Sequence, residues 1–331
     1  MQQKSILMGK LSSIKEPVAT ELKIFDEEFA KTMKTDVPLL NLITTFLLKR
    51  KGKQVRPLLV FLSAKMIGEI TISTYTAASM IELLHTATLV HDDVVDESYE
   101  RRGFFSINAL WKSKLSVLLG DYLLAKGLLI SVENKEYDIL EIVSNAVREM
   151  SEGELLQIQK SRKLDITEEE YFTIIRKKTA TLFSACTSSG ARSVTTDQSV
   201  INKMRDFGIK LGMAFQIKDD LFDYENTTFT GKPKGNDIQE KKITLPLISA
   251  LVNAPNIQKK EIIRLINKKS SDRKTYNRVF EFVHEHKGME SAQNKMREFR
   301  DEALDILFTF NKNNYRNSIE SLVEFIIDRK N

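Results

Sequence analysis

Apolar residues recur along this chain at three- and four-residue spacing and almost never in strict alternation, so helices account for nearly all of the predicted structure. Leu22, Phe25, Phe29 and Met33 form one helical stripe after Pro17, and Leu140, Val143, Val147 and Met150 form another. Further helices are expected over 37–49, 55–68, 72–98, 115–131, 167–190 and 198–224. From about 245 onward the pattern is helical again, with breaks near Ala254-Pro255 and Gly288. Thr167-Glu168-Glu169-Glu170 reads as a capping box ahead of the apolar run that starts at Tyr171. Glycine (13) and proline (6) are scarce, and no Ser/Pro-rich linker or short repeat divides the chain, so residues 1–331 are expected to form a single all-α domain.

Composition narrows the function classes. With 331 residues, 42% hydrophobic and 29% charged, the chain can bury a large core as a soluble globular protein. The net charge of +5 comes from scattered lysines rather than one block, which argues against a nucleic-acid partner. Cys186 is the only cysteine, so no intrachain disulfide can form and a cytoplasmic location is the default. The first ten residues hold too short an apolar run for a signal peptide. No stretch approaches 18 uninterrupted apolar residues, so no transmembrane segment is expected.

Against this background two acidic clusters stand out, Asp92-Asp93-Val94-Val95-Asp96 and Asp219-Asp220-Leu221-Phe222-Asp223. Residues four apart share a helix face, which sets Asp92 with Asp96 and Asp219 with Asp223. One such cluster alone would describe a solvated helix face. Two copies in apolar surroundings point instead to carboxylates facing a cavity. Gln216, Asp219, Asp220 and Asp223 continue the second cluster into one polar stripe between apolar Met213, Phe215, Ile217, Leu221 and Phe222. Hard oxygen donors without Cys or His nearby favour Mg2+, which bridges a few carboxylates to phosphate oxygens, so the expected ligand is a phosphate or diphosphate.

Cations flank both clusters. Lys51-Gly52-Lys53-Gln54-Val55-Arg56-Pro57 lies upstream of the first and Arg101-Arg102-Gly103 follows it, a combination suited to a second anion held without metal. The segment from Asn226 to Lys242 carries Gly231, Lys232, Pro233, Lys234, Gly235, Lys241 and Lys242. It reads as a basic loop able to close on a phosphate at Asp219 and Asp223. Gly52-Lys53 lacks the P-loop spacing, so ATP chemistry is unsupported.

In order along the chain, Gly52-Lys53-Gln54-Val55-Arg56-Pro57 resembles GKxxRP, and His91 to Ser98 with Arg101-Arg102-Gly103 resembles a first aspartate-rich motif. Gly153-Glu154-Leu155-Leu156-Gln157 resembles GExxQ, and Lys178-Thr179-Ala180, Phe215 to Asp223 and Gly231 to Asp237 complete the series. In these motifs the chain resembles the trans-type polyprenyl diphosphate synthase family over most of its length. The HDDVVDES wording is most similar to long-chain members such as octaprenyl, heptaprenyl and solanesyl diphosphate synthases, which make quinone side-chain precursors.

The resemblance implies an isoprenoid-synthase-type helical bundle around a central cavity, and Mg2+-dependent head-to-tail condensation. Mg2+, three ions once substrate is bound, would be held by Asp92, Asp96 and Asp219 with Asp93 and Asp223 assisting, and Asp220 completes the catalytic motif. Gly52, Lys53, Arg56, His85 and Arg102 would hold isopentenyl diphosphate. Arg101, Lys178, Thr179, Gln216, Lys232 and Lys242 would hold the allylic diphosphate. The departing pyrophosphate would take the proton. The family also implies a homodimer, and the greasy product implies transient membrane contact.

Product length is expected to depend on side chains below the first cluster. Ala87 and Thr88 precede Asp92 by five and four residues and neither is aromatic, which favours long products. The floor is left among Leu84, Met80 and the segment Leu123 to Ile130, and the number of isoprene units stays open. The remaining alternatives are a shorter-chain farnesyl or geranylgeranyl synthase, or a noncatalytic subunit of a heteromeric synthase. Lys51 and Lys241 stand where many members carry glycine, beside the implied contacts rather than within them. His85 and Cys186 also suit ordinary core positions, and His284 and His286 a surface helix.

Overall fold

The structure is a computed structural model and describes residues 2–49, 54–95, 100–101, 104–105, 107–161, 164–224, 238, 242–269 and 272–328. These are helical nearly throughout: α1 (Gln2–Lys15), α2 (Ala19–Thr32), α3 (Pro38–Lys49), α4 (Val55–Ile67) and α5 (Ile72–Val95) come first. A two-residue antiparallel pair, β1 (Glu100–Arg101) with β2 (Phe104–Phe105), precedes α6 (Ile107–Glu133), α7 (Tyr137–Ser161) and α8 (Glu168–Ile175). A π-helical turn, Arg176–Ala180, joins α8 to α9 (Thr181–Arg192). The chain continues through α10 (Gln198–Phe222), α11 (Leu245–Asn253), α12 (Asn256–Lys269), α13 (Arg273–Glu285), α14 (Gly288–Phe308) and α15 (Asn314–Asp328).

Backbone contacts group the chain into two compact units. The first is residues 1–145, 185–205 and 310–322; the second is 146–184, 206–309 and 323–331. Four of the five boundaries fall inside α7, α9, α10 and α15, and the fifth follows α14.

The first unit is organised around α4, whose Leu58, Leu59, Val60, Phe61 and Leu62 are all fully buried, as expected of a helix that is apolar all round. Phe25 of α2 stacks on Phe29 at 5.4 Å and meets Phe61 edge-on at 5.9 Å, so the stripe read from the sequence after Pro17 faces this core. Gly190 of α9 packs against α4 so closely that a Cβ there would sit 2.5 Å from the Val60 carbonyl oxygen. Helix α6 runs along α5: a Cβ at Gly120 would fall 2.0 Å from Nε2 of His91. Among the described residues, Ala109–Glu133 of α6 is the one helix long and apolar enough to cross a membrane.

The second unit buries α11, with Leu245, Pro246, Leu247, Ile248 and Ala250 all in its core. Gly288 opens α14 against it, where a Cβ would lie 2.1 Å from the Pro246 carbonyl oxygen.

Several elements differ from the sequence reading, three of them inside expected helices. Helix α6 starts at Ile107 and breaks at Lys112 (φ 66°, ψ 161°), so only its part beyond the break corresponds to the expected 115–131. In α7 the buried line is Ile139, Val143 and Ala146, one step round from the expected stripe; Leu140, Val147 and Met150 are half-buried. The expected helix 167–190 is interrupted by the π turn, which no apolar spacing signals.

Candidate functional site

The second unit gathers several of the implied phosphate-binding residues around a cavity of about 150 Å3 lined by Lys178, Thr179, Gln216, Asp220 and Lys242 among others. Its construction starts at the N-terminus of α8. Thr167 accepts from the Glu170 amide at 3.2 Å while the Glu170 carboxylate accepts from the Thr167 amide at 2.9 Å, the capping box expected from sequence. Glu170 also pairs with Lys160 of α7, which raises the lysine and lowers the carboxyl from their ordinary ranges, chiefly through that hydrogen bond.

The α8 helix leads into the π turn that carries Lys178 and Thr179. Two glycines allow other backbones to close on that turn. A Cβ at Gly153 of α7 would lie 2.8 Å from the Lys178 amide nitrogen, and one at Gly212 of α10 would lie 2.5 Å from Cα of Ala180. A row of ion pairs binds α7 to the turn: Glu149 with Arg176, Glu152 with Lys177, and Glu154 with Lys178. Lys178 also donates to Oε1 of Gln157 at 2.8 Å, so the GExxQ segment holds the lysine from one side.

On the other side lies α10. Thr179 Oγ1 donates to Oε1 of Gln216 at 2.7 Å, and Gln216 Nε2 donates to Oδ1 of Asp220 at 2.7 Å. Asp220 is 6% exposed, and its Oδ2 accepts from the Tyr171 hydroxyl at 2.7 Å. Buried carboxylates require such donors. Asp220 therefore orients the cavity wall, while Asp219 and Asp223 remain half-exposed.

Asp223 lies just past the helix end, where its amide bonds to the Asp220 carbonyl at 3.3 Å, a tighter turn than the expected α-helical stripe. Its backbone oxygen accepts from Tyr276 of α13 at 3.4 Å. Burial first, and Asp223 second, raise the Tyr276 hydroxyl above its ordinary pKa.

The first unit carries the other aspartate motif at the end of α5. Asp92 is half-buried and Asp93 buried, with Leu84 and Ala87 in the core beneath and Thr88 half-buried. His85 is buried, and Arg56 sits in the first turn of α4. His91 turns to α6, where Nε2 lies 3.2 Å from the Val117 carbonyl oxygen and 3.6 Å from Asp121. Cys186 is fully buried and its thiol is pushed up to about 12, by burial foremost, with Arg56 lowering and Glu82 raising it. Arg101 contributes its backbone to β1, whereas Gly52, Lys53, Asp96, Arg102, Lys232 and most of the loop from Asn226 to Lys242 lie outside the described residues.

Tyr171, Gln157, Glu154 and Tyr276 were not singled out as site residues from the sequence. Glu154 and Gln157 were visible as part of a motif, but Tyr171 and Tyr276 read as ordinary amphipathic-helix positions.

Among the described residues, no three acidic, His or Cys side chains converge on one point. Asp219 and Asp223 in the second unit, like Asp92 in the first, offer only half-exposed oxygen donors, the ligand chemistry that suits a hard cation.

Residues 37–283, three quarters of the chain, match the family model described as polyprenyl synthetase. The chain belongs to the polyprenyl synthetase family. It is therefore a prenyltransferase with the family's all-α fold. An octaprenyl diphosphate synthase of Haemophilus influenzae is 31% identical over 93% of this chain and 94% of its own length. The all-trans-nonaprenyl-diphosphate synthase (geranyl-diphosphate specific) of Rhodobacter capsulatus is 34% identical over 95% and 96%. A polyprenyl synthase from Caulobacter crescentus CB15, crystallised with calcium and isoprenyl diphosphate, superposes with a TM-score of 0.89 at 32% identity, covering 96% of this chain and 98% of that one.

Proposed function

We propose that this prenyltransferase is a long-chain all-trans polyprenyl diphosphate synthase that extends an allylic diphosphate by successive head-to-tail condensation with isopentenyl diphosphate. The arrangement that carries the reading is the cavity in which Lys178, Thr179 and Gln216 meet above the buried Asp220. Lys178 and Lys242 supply positive charge for a diphosphate, and the hydroxyl and amide of Thr179 and Gln216 fix its orientation. Magnesium, held by Asp92, Asp96, Asp219 and Asp223, would neutralise the charge that builds on the leaving diphosphate as the allylic C–O bond breaks. The calcium and isoprenyl diphosphate bound by the Caulobacter relative support a divalent ion and this ligand class.

Arg56 and His85, with Lys53 and Arg102, would hold isopentenyl diphosphate. Long products are supported by the size of Ala87, fully buried five residues before Asp92, and by relatives named for octaprenyl and nonaprenyl products. In the same reading both compact units work as one catalytic domain in the cytoplasm, and the product supplies a quinone side chain. A homodimer is supported by the exposed apolar row Val117, Leu118, Leu128, Leu129 and Val132 on α6, which suits a second copy of the chain.

The test is incubation of the purified protein with Mg2+, labelled isopentenyl diphosphate and allylic starters of several lengths, followed by chromatography of the dephosphorylated products. Products beyond geranylgeranyl length are expected. Termination at or below that length would favour the shorter-chain alternative, and inactivity with every starter would favour a noncatalytic subunit.

A further inference from the structure

The corner between α11 and α12 has a surface chemistry that the condensation reaction does not use. Val252 is 66% exposed and Ile257 83% exposed, and they flank the turn at Ala254-Pro255. Behind this apolar tip, α12 buries Ile262 and Ile266 in the second unit and turns the opposite face outward. That face presents Ile257, Lys260, Arg264 and Lys268, all exposed, at positions i, i+3, i+7 and i+11. At 100° per residue these four side chains fall within one narrow arc. Lys259 reaches back over the corner, with its Nζ 3.4 Å from the Val252 carbonyl oxygen. The helix carries five Lys or Arg residues against one acid, Glu261.

We propose that this corner docks the protein on an anionic lipid bilayer, with Val252 and Ile257 entering the headgroup region and Lys260, Arg264 and Lys268 contacting lipid phosphates. What sets this corner apart is the pairing of two largely exposed aliphatic side chains with a row of cations on one face of α12, which together complement an anionic headgroup layer. Such a surface gives reversible attachment, since neither the apolar tip nor the cations alone suffice for an anchor. The inference builds on the proposed synthase function only for its purpose, delivery of a product too apolar for water. Vesicle binding itself needs no turnover, so the two proposals fail separately.

The test is co-sedimentation of the full-length protein with vesicles of phosphatidylcholine alone or mixed with phosphatidylglycerol. Binding is expected only with the anionic lipid and should weaken with added salt. The pair Lys260→Gln and Arg264→Gln should lower vesicle affinity about 25-fold, from roughly fivefold per lost cation. Ile257→Ser should lower it further, with prenyl transfer in detergent unchanged in every variant. Undiminished binding by the triple variant would move the contact to another surface, and equal binding to neutral vesicles would remove the charge argument. Either result overturns the proposal. So would binding that depends on the cations but not on Ile257 and is competed equally by a soluble polyanion, because that describes a polyanion site rather than a bilayer contact.

Discussion

Tyr171 of α8 donates its hydroxyl to the buried carboxylate of Asp220 on α10 across 2.7 Å, and Gln216 donates to the same carboxylate from one turn away. Because the Gln216 nitrogen is committed to Asp220, its oxygen is turned to Thr179. Tyr171→Phe keeps the ring and its edge contact with Phe172 at 5.5 Å but removes one donor to a buried acceptor. A loss of about 1–3 kcal/mol is expected, seen as a fall of a few degrees in Tm. Where that loss is felt in positioning the allylic diphosphate, kcat/KM for the allylic substrate should drop roughly 5- to 150-fold. The KM for isopentenyl diphosphate should change little.

Gly153→Ala should act through backbone rather than charge. The added methyl would meet the Lys178 amide nitrogen at 2.8 Å and Cβ of Lys177 at 2.9 Å, so α7 and the π turn must separate. Overpacking of this kind costs about 1–3 kcal/mol. Steady-state kinetics should show the KM for the allylic diphosphate rising while the helical circular-dichroism spectrum is retained.

Cys186 should resist thiol reagents in the folded protein at neutral pH and react only as the chain opens, because burial holds its thiol up at about 12. The folded value lies above the ordinary 9.0, so the folded state keeps a proton that the unfolded state releases. Its contribution to stability is complete below about pH 9 and is lost progressively as pH rises toward 12. Denaturant midpoints measured from neutral to alkaline pH should fall less steeply for Cys186→Ala than for the parent chain.

Ala87→Phe should shorten the products. Ala87 is fully buried on α5, next to Leu84 and five residues before Asp92, so a ring there takes volume from whatever passes below the aspartates. Chromatography of dephosphorylated products should show the ladder ending earlier, whereas an unchanged ladder would reject this position as a determinant of length.

Removing the metal gives a separate check on the carboxylates. A chelator should abolish prenyl transfer and added Mg2+ restore it. Asp219→Asn should leave the fold intact while lowering activity by orders of magnitude, since Asp219 is half-exposed and outside the buried core.

The periodicity of apolar residues located most helices because burial on one face imposes it: Phe25 and Phe29, the Thr167 capping box and the buried run of α4 were all legible. The acidic clusters stood out because carboxylates repeated at one spacing in apolar surroundings are uncommon. The π turn was hidden, because no local apolar spacing marks it and the backbones packed against it at Gly153 and Gly212 come from other parts of the chain. Tyr171 was hidden for a related reason. Its ring satisfies an amphipathic helix, and only the third dimension brings its hydroxyl to Asp220. The division of labour within Asp219-Asp220 was equally invisible, since the sequence presents two equivalent carboxylates and only burial separates them.

The π turn is clasped by Gly153 on one side and Gly212 on the other, main chain against main chain. Backbones packed this closely leave the turn little room to shift. In the proposed synthase, successive rounds of elongation would lengthen the hydrocarbon tail while the anvil beneath the diphosphate stayed in place, so that one fit would serve the first isoprene unit and the last.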